Sequence, residues 1–333
     1  MNRNVPVPDN AAGTRAVALE QGAGWTAHSL RRGDPGRPWL VWLHGLLGSG
    51  DDWSPVLPYF SDWSQATLNL PGHGRTHRPG AANSARQGGA SARPLRREPA
   101  VADGVPVQAA PAAMAGLDFA GVSAGLSHTL AALGITRYIL IGYSLGGRIA
   151  LYHACLGHGA ARADASAAGP GGRHGAAGPE GLLGLFVEGA HPGLSTRPER
   201  DDRLRHDSHW AQRFRREPIA AVLEDWYRQP VFGDLSDDAR RALVALRAAN
   251  HGPAVAGMLQ ATSLALQPDL AARLSALELP FGYLCGSQDD KFTALARRAA
   301  FPLALVSGAG HNAHRANPPD FAGQLLTLLA PFH

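Results

Sequence analysis

The sequence predicts an α/β fold: a doubly wound, mostly parallel sheet interrupted by an inserted helical cap. Three observations carry that expectation. Short apolar, β-branched runs alternate with helical spacings both before residue 195 and after residue 276. One such run, Ile139 to Ile141, ends in Gly142-Tyr143-Ser144-Leu145-Gly146 and passes at once into an alanine-rich helical pattern (Ile149, Ala150, Leu151, Ala154). The stretch 195–276 is charged, aromatic and helix-like throughout, with no strand pattern. Alternation resuming after a helical stretch describes one sheet with an insertion.

The G-x-S-x-G pattern needs that strand-to-helix context. A sharp turn there lifts a hydroxyl out of the sheet edge, and glycines on either side let neighbouring backbone pass close. In a chain with 40 glycines the five residues alone would mean little. Their position singles out Ser144 as the catalytic centre.

Residues 1–20 are polar and patternless and read as a disordered extension. The core is expected over 21–194 and 277–333. An alternating segment from Trp25 to Arg31 suggests the first strand, and Pro38 to Leu43 a buried second one. Asp51 to Phe60 reads as a short helix, Gln65 to Leu70 as a strand, and Pro71-Gly72-His73-Gly74 as a tight turn. Low-complexity insertions rich in Ala, Gly, Pro and Arg occupy about 76–116 and 157–180. Between them Leu117 to Leu133 has helical spacing, stopped by Gly134. Leu182 to Val187 resumes the strand pattern, 195–276 forms the cap, and strand, helix, strand, helix follow over Phe281–Cys285, Phe292–Ala300, Leu303–Val306 and Pro319–Leu329.

Serine needs a histidine to accept its proton and a carboxylate to orient that histidine. After the cap, one strand runs into Gly286-Ser287-Gln288-Asp289 and the next into Ala309-Gly310-His311. Both side chains therefore fall at the sheet edge that carries Ser144, and the expected triad is Ser144, Asp289 and His311. Asp290 is the neighbouring candidate for the acid; the Gly-x-x-Asp spacing favours Asp289. The strand ending at Leu43 runs into His44-Gly45, so the N–H groups of Leu46 and Leu145 are the expected oxyanion donors. His44 and His73 lie in turns near the site and are read as holding loop geometry, whereas His191 is left open.

Length and composition limit the alternatives. With 333 residues and 45% hydrophobic side chains the chain can bury a full core. No run of 18 apolar residues is present and the first 20 lack a signal-peptide core, so a cytoplasmic protein without membrane association is expected. Cys155 and Cys285 lie in apolar patterns and are expected to be buried free thiols. The net charge of +4 comes almost wholly from arginine, Lys291 being the only lysine, and without a nucleic-acid-binding motif it points to small anions instead.

Beyond the elbow, a longer set of motifs resembles one family. These are Leu43-His-Gly-Leu-Leu-Gly48, Leu70-Pro-Gly-His-Gly74, Gly142-Tyr-Ser-Leu-Gly-Gly-Arg148 and Val187-Glu-Gly-Ala-His-Pro-Gly-Leu194 in the core. Trp210-Ala-Gln-Arg-Phe214, Asp225-Trp-Tyr-Arg-Gln-Pro-Val-Phe232, Leu243-Val-Ala-Leu-Arg247 and Ala261-Thr-Ser-Leu264 lie in the cap, with Tyr283-Leu-Cys-Gly286, Asp290-Lys-Phe292 and Ala309-Gly-His-Asn-Ala-His-Arg315 beyond it. Together they resemble the 2-succinyl-6-hydroxy-2,4-cyclohexadiene-1-carboxylate synthases (MenH) of menaquinone biosynthesis, lyases on the α/β-hydrolase fold. Ala190 stands where a second glycine is common in that family. The resemblance implies a 2,5-elimination of pyruvate from a substrate with three carboxylates, with no metal or organic cofactor. It implies Arg203 and Arg247 as carboxylate partners reaching down from the cap, beside Arg148 one turn after Ser144. Tyr143, Trp226, Tyr227 and Phe232 would line the ring pocket, unless they serve only to pack the cap, and Lys291 is a further carboxylate candidate. The rivals are a serine hydrolase using the same triad as a nucleophile, and a non-catalytic receptor on the same scaffold.

Overall fold

The computed structural model describes residues 24–74, 117–157 and 179–333; the expectations placed on 1–20, 76–116 and most of 157–180 fall outside them. Seven strands form one sheet in the order β1-β3-β2-β4-β5-β6-β7. They are β1 (Thr26–Arg31), β2 (Trp39–Leu43), β3 (Gln65–Asn69), β4 (Tyr138–Tyr143), β5 (Leu182–Glu188), β6 (Phe281–Gly286) and β7 (Leu303–Val306). Only β1 is antiparallel, pairing with β3 at one edge. Every other pairing is parallel, including β4 with β5, where Tyr143 stands opposite Glu188.

Strand alternation explains why the central runs are apolar without a break. In β2, Val41 and Leu43 face one layer while Leu40 and Trp42 face the other; in β4, Leu140 opposes Ile139 and Ile141 in the same way. A strand covered on both faces reads as a continuous hydrophobic run. The first layer is built by α1 (Phe119–Ala132), α2 (Leu145–Leu156), which follows the elbow, and later α8 (Asp290–Arg298). The second contains Trp53, Phe60 and Trp63 together with α10 (Pro318–Leu329). Each fully buried Leu, Ile or Phe contributes about 1.5–3 kcal/mol, so these two layers hold the strand ends in place.

Between β5 and β6 lie five helices: α3 (Arg197–Arg216), α4 (Ile219–Trp226), α5 (Asp237–Arg247), α6 (Gly252–Ala261) and α7 (Ala271–Ser275). Thr196 starts α3 with a capping box closed by Glu199. Trp210, Phe214, Val222, Leu223, Trp226, Leu243, Val255 and Leu259 form a hydrophobic cluster that also takes in Leu47 from the loop after β2. The last short helix, α9 (Ala313–Ala316), follows His311.

One local expectation is corrected. Residues 51–60 do not form an α-helix but two 3₁₀ pieces, Gly50–Trp53 and Leu57–Phe60. Pro55 and Pro58 remove backbone donors there, and the tighter turn tolerates that loss in short stretches.

Candidate active site

Ser144 has φ 49° and ψ −110°, one of three described non-glycine residues with positive φ. Holding a side chain there costs about 1–3 kcal/mol. The surroundings enforce it: the Ser144 N–H donates to Glu188 O at 2.8 Å, and its own carbonyl accepts the Arg148 N–H at 2.9 Å. Gly146 shows why the motif admits no side chain, since a Cβ there would lie 2.3 Å from Leu43 O. Leu145 opens α2, so its N–H belongs to the first turn, which lacks an intrahelical acceptor. Gly45 brings the β2 loop against the elbow, and the Leu46 peptide follows it.

Asp289 Oδ2 accepts from His311 Nδ1 at 2.8 Å, while Oδ1 accepts the Phe292 N–H at 3.2 Å and so caps α8. Both side chains are buried. Asp290 is exposed as the first residue of α8, so of the two carboxylates it is Asp289 that meets the imidazole. The His311 ring stacks on Phe292 at 4.8 Å, with Tyr143 at 5.4 Å and Phe232 edge-on at 6.0 Å. Among the described residues no hydrogen bond joins Ser144 Oγ to His311 Nε2. Contacts of this kind often tighten only with substrate in place.

The cationic residues fall into two groups. In the first, Arg148, Arg203 and Lys291 all act on His191, which burial and these charges lower to about 4. Arg148 is held from several sides: Nε donates to Gln267 Oε1 and Nη2 to Thr262 O, both at 2.7 Å, and the guanidinium lies 5.3 Å from the Phe119 ring. Burial, and then Arg203 nearby, lower it to about 9. Arg203 Nε donates to the buried Asp207 at 2.8 Å. Burial works to raise Asp207, yet hydrogen bonds from His206, Arg203 and Ser263 hold it at about 2. Burial and Arg203 lower the Lys291 ammonium, with Asp289 opposing.

In the second group Arg247, on α5, forms a buried ion pair with Asp52, and Arg315 stands 3.6 Å from the same carboxylate. Against burial, Asp52 and Tyr227 raise the Arg247 guanidinium. The cap is tied to the β2 loop here as well, through Asn250 Nδ2 donating to Leu47 O at 2.8 Å. The structure thus brings Tyr143 and Phe232 to His311 and Tyr227 to Arg247, whereas Trp226 packs against Trp210 at 5.0 Å inside the cap cluster.

His44 is wholly buried; Nδ1 donates to Gly45 O at 2.7 Å and Nε2 accepts the Leu70 N–H at 3.0 Å. It therefore ties the β2 loop to the end of β3. Burial, with His73 adding to it, lowers it to about 3. Sequence reasoning passed over Asp52, Glu188 and His314. Asp52 had one readable signal, the Ser49-x-x-Asp52 capping pattern.

An elbow serine, a buried histidine–carboxylate pair and a helical insertion over one sheet edge define an α/β-hydrolase-fold enzyme. Residues 38–314 match the alpha/beta hydrolase fold family. The chain is 47% identical over 296 residues to a 2-succinyl-6-hydroxy-2,4-cyclohexadiene-1-carboxylate synthase from Pectobacterium atrosepticum, covering 89% of this chain and 95% of that one. It is 46% identical over 293 residues to the protein of the same name from Yersinia pestis, covering 88% of each. Among solved structures, MenH from S. aureus superposes with a TM-score of 0.68 at 21% identity over 91% of this chain and 97% of that one. A thermophilic esterase from Thermogutta terrifontis gives 0.61 at 17% identity, over 93% of each, so at this distance likeness reports the fold alone. The chain belongs to the 2-succinyl-6-hydroxy-2,4-cyclohexadiene-1-carboxylate synthase family.

Proposed function

We propose that the protein eliminates pyruvate from 2-succinyl-5-enolpyruvyl-6-hydroxy-3-cyclohexene-1-carboxylate to give 2-succinyl-6-hydroxy-2,4-cyclohexadiene-1-carboxylate, a step of menaquinone biosynthesis. The observation that carries this reading is the gathering of Arg148, Arg203 and Lys291 beside the loop that bears Asp289. Fixed cations in a partly dry site suit a substrate with three carboxylates better than a neutral ester. The identity to synthases of that name extends through the cap.

In this mechanism Ser144 passes its proton to His311, oriented by Asp289, and takes a proton from the carbon next to the succinyl ketone. The Leu46 and Leu145 amides stabilise the enolate oxygen that forms. Collapse of the enolate expels the enolpyruvyl oxygen, and the released enolpyruvate gains a proton on carbon to become pyruvate. Arg148, Arg203, Arg247 and Lys291 hold the carboxylates, and Tyr143, Tyr227 and Phe232 face the ring, with Trp226 supporting them from the cap. We place the reaction in the cytoplasm, a setting supported by the unpaired buried thiols of Cys155 and Cys285. Among the described residues no helix is long and apolar enough to cross a membrane.

The test is incubation with the enolpyruvyl substrate while pyruvate and the diene chromophore are followed. Ser144→Ala is expected to lose about 10²–10⁴ of the rate, the usual worth of a positioned acid–base group. Near-parental pyruvate release by that variant would refute the assignment. Strong p-nitrophenyl ester turnover without pyruvate release would instead favour a hydrolase.

A further inference from the structure

Behind the triad lies a second acid–histidine pair that the proposed chemistry does not use. Glu188, the last residue of β5, and His314, in α9, are 1% and 0% exposed. Glu188 Oε2 accepts from His314 Nδ1 at 2.7 Å, and Oε1 accepts the backbone N–H of the same residue at 3.2 Å. The backbone oxygen of Glu188 receives the N–H of Ser144. One residue therefore grips the elbow with its main chain and the histidine loop with its side chain. The next residue, Gly189, has φ +55°, and a Cβ there would lie 2.7 Å from His311 Cε1, so the same turn also seats the catalytic imidazole. Trp53 lies against the His314 ring at 4.4 Å and Tyr143 meets it edge-on at 4.9 Å.

We infer that Glu188 and His314 are positioning residues that set the placement of His311 relative to Ser144. The inference rests on the proposed roles of those two residues. Neither Glu188 nor His314 needs to touch substrate. Their work is geometric, and misplacement by about 1 Å can cost 10²-fold in rate. Shortening the carboxylate by one methylene either breaks its grip or draws the histidine loop inward, and both displace His311.

The experiment compares Glu188→Asp, which keeps the charge and loses the reach, with Glu188→Gln, which keeps the reach and loses the charge. With the enolpyruvyl substrate, E188D is expected to lose about 50–100-fold in kcat with KM within threefold, and fluorophosphonate labelling of Ser144 should slow in parallel. E188Q is expected to stay within about fivefold of the parent, because its amide can accept the His314 N–H and donate to the other imidazole tautomer. If E188D does not fold, His314→Asn reports the same loss of the grip and is expected to reproduce its kinetics. A folded E188D (or H314N in its place) within threefold of parental kcat would overturn the inference. So would equal losses in E188D and E188Q, which would assign the effect to charge. Ser144→Ala run alongside separates the two claims: if it remains active the proposed function fails, whereas if it is inactive and E188D is active only the positioning role fails.

Discussion

Replacing Asp52 with asparagine is expected to destabilise the fold by about 3 kcal/mol, as breaking a buried ion pair leaves the other charge uncompensated. The estimate sits at the lower end of the usual 3–5 kcal/mol range for two reasons. Arg247 Nε is buried without an acceptor, so the contact is not a full two-pronged fork. Arg315 is 30% exposed on its side chain and can turn to water, which leaves Arg247, 7% exposed, as the stranded charge. Urea unfolding at pH 7, followed by tryptophan fluorescence, would measure the loss. The adjacent Trp53 is fully buried against Trp42 and reports on this corner of the core. The double variant D52N/R247M should recover most of the loss, because with both charges removed neither is left uncompensated. The pH dependence has a definite sign. Against burial, Arg247 and His44 hold the Asp52 carboxyl below its ordinary value of 3.8, so its stabilising share is present above that value and is lost as pH falls further through the folded-state value. D52N should lack that acid limb. A loss under 1 kcal/mol, or a double variant weaker than the single, would refute the reasoning.

Asp289→Asn should leave the fold intact but present His311 with the wrong partner for its Nδ1–H, lowering pyruvate release by about 10³–10⁴-fold in steady-state assays. Gly146→Ala should yield little folded protein on size exclusion, since its new Cβ would press on Leu43 O at 2.3 Å. His44 and His73 are lowered by burial to about 3 and about 4, so the unfolded chain binds their protons first. Each therefore contributes stability above pH 6.5 that declines by up to about 1.4 kcal/mol per pH unit as the pH falls towards those values; the midpoint of urea unfolding should drop between pH 6.5 and 5.

The sheet was readable because both of its faces are covered. Continuous apolar runs at β2, β4 and β5, each ending in a glycine-bearing loop, locate the carboxyl edge, and the loops after β6 and β7 then bring Asp289 and His311 to it. Thr196 and Glu199 close a capping box at the start of α3, a spacing that sequence reasoning passed over. Residues 51–60 were misread because an apolar pattern interrupted by two prolines resembles a short helix until the missing donors are counted. Asp52, Glu188 and His314 left little trace, since their meaning lies in partners distant in sequence: Glu188 meets His314 across 126 positions. A lone buried polar side chain at a strand end or in a one-turn helix follows no period, and only the fold shows what satisfies it.

Arg148 shows how the insertion is fastened to the sheet. It rises from α2, the helix that follows Ser144, yet its guanidinium grasps Gln267 and the Thr262 carbonyl, just past α6, and Gln267 in turn donates to His191 O at 2.8 Å. The trailing end of the insertion is thereby welded to the body that carries the serine. The α5 end is fastened separately, Arg247 to Asp52 and Asn250 to Leu47 O, so the roof is pinned at two seams and a swing about either one would have to break the other.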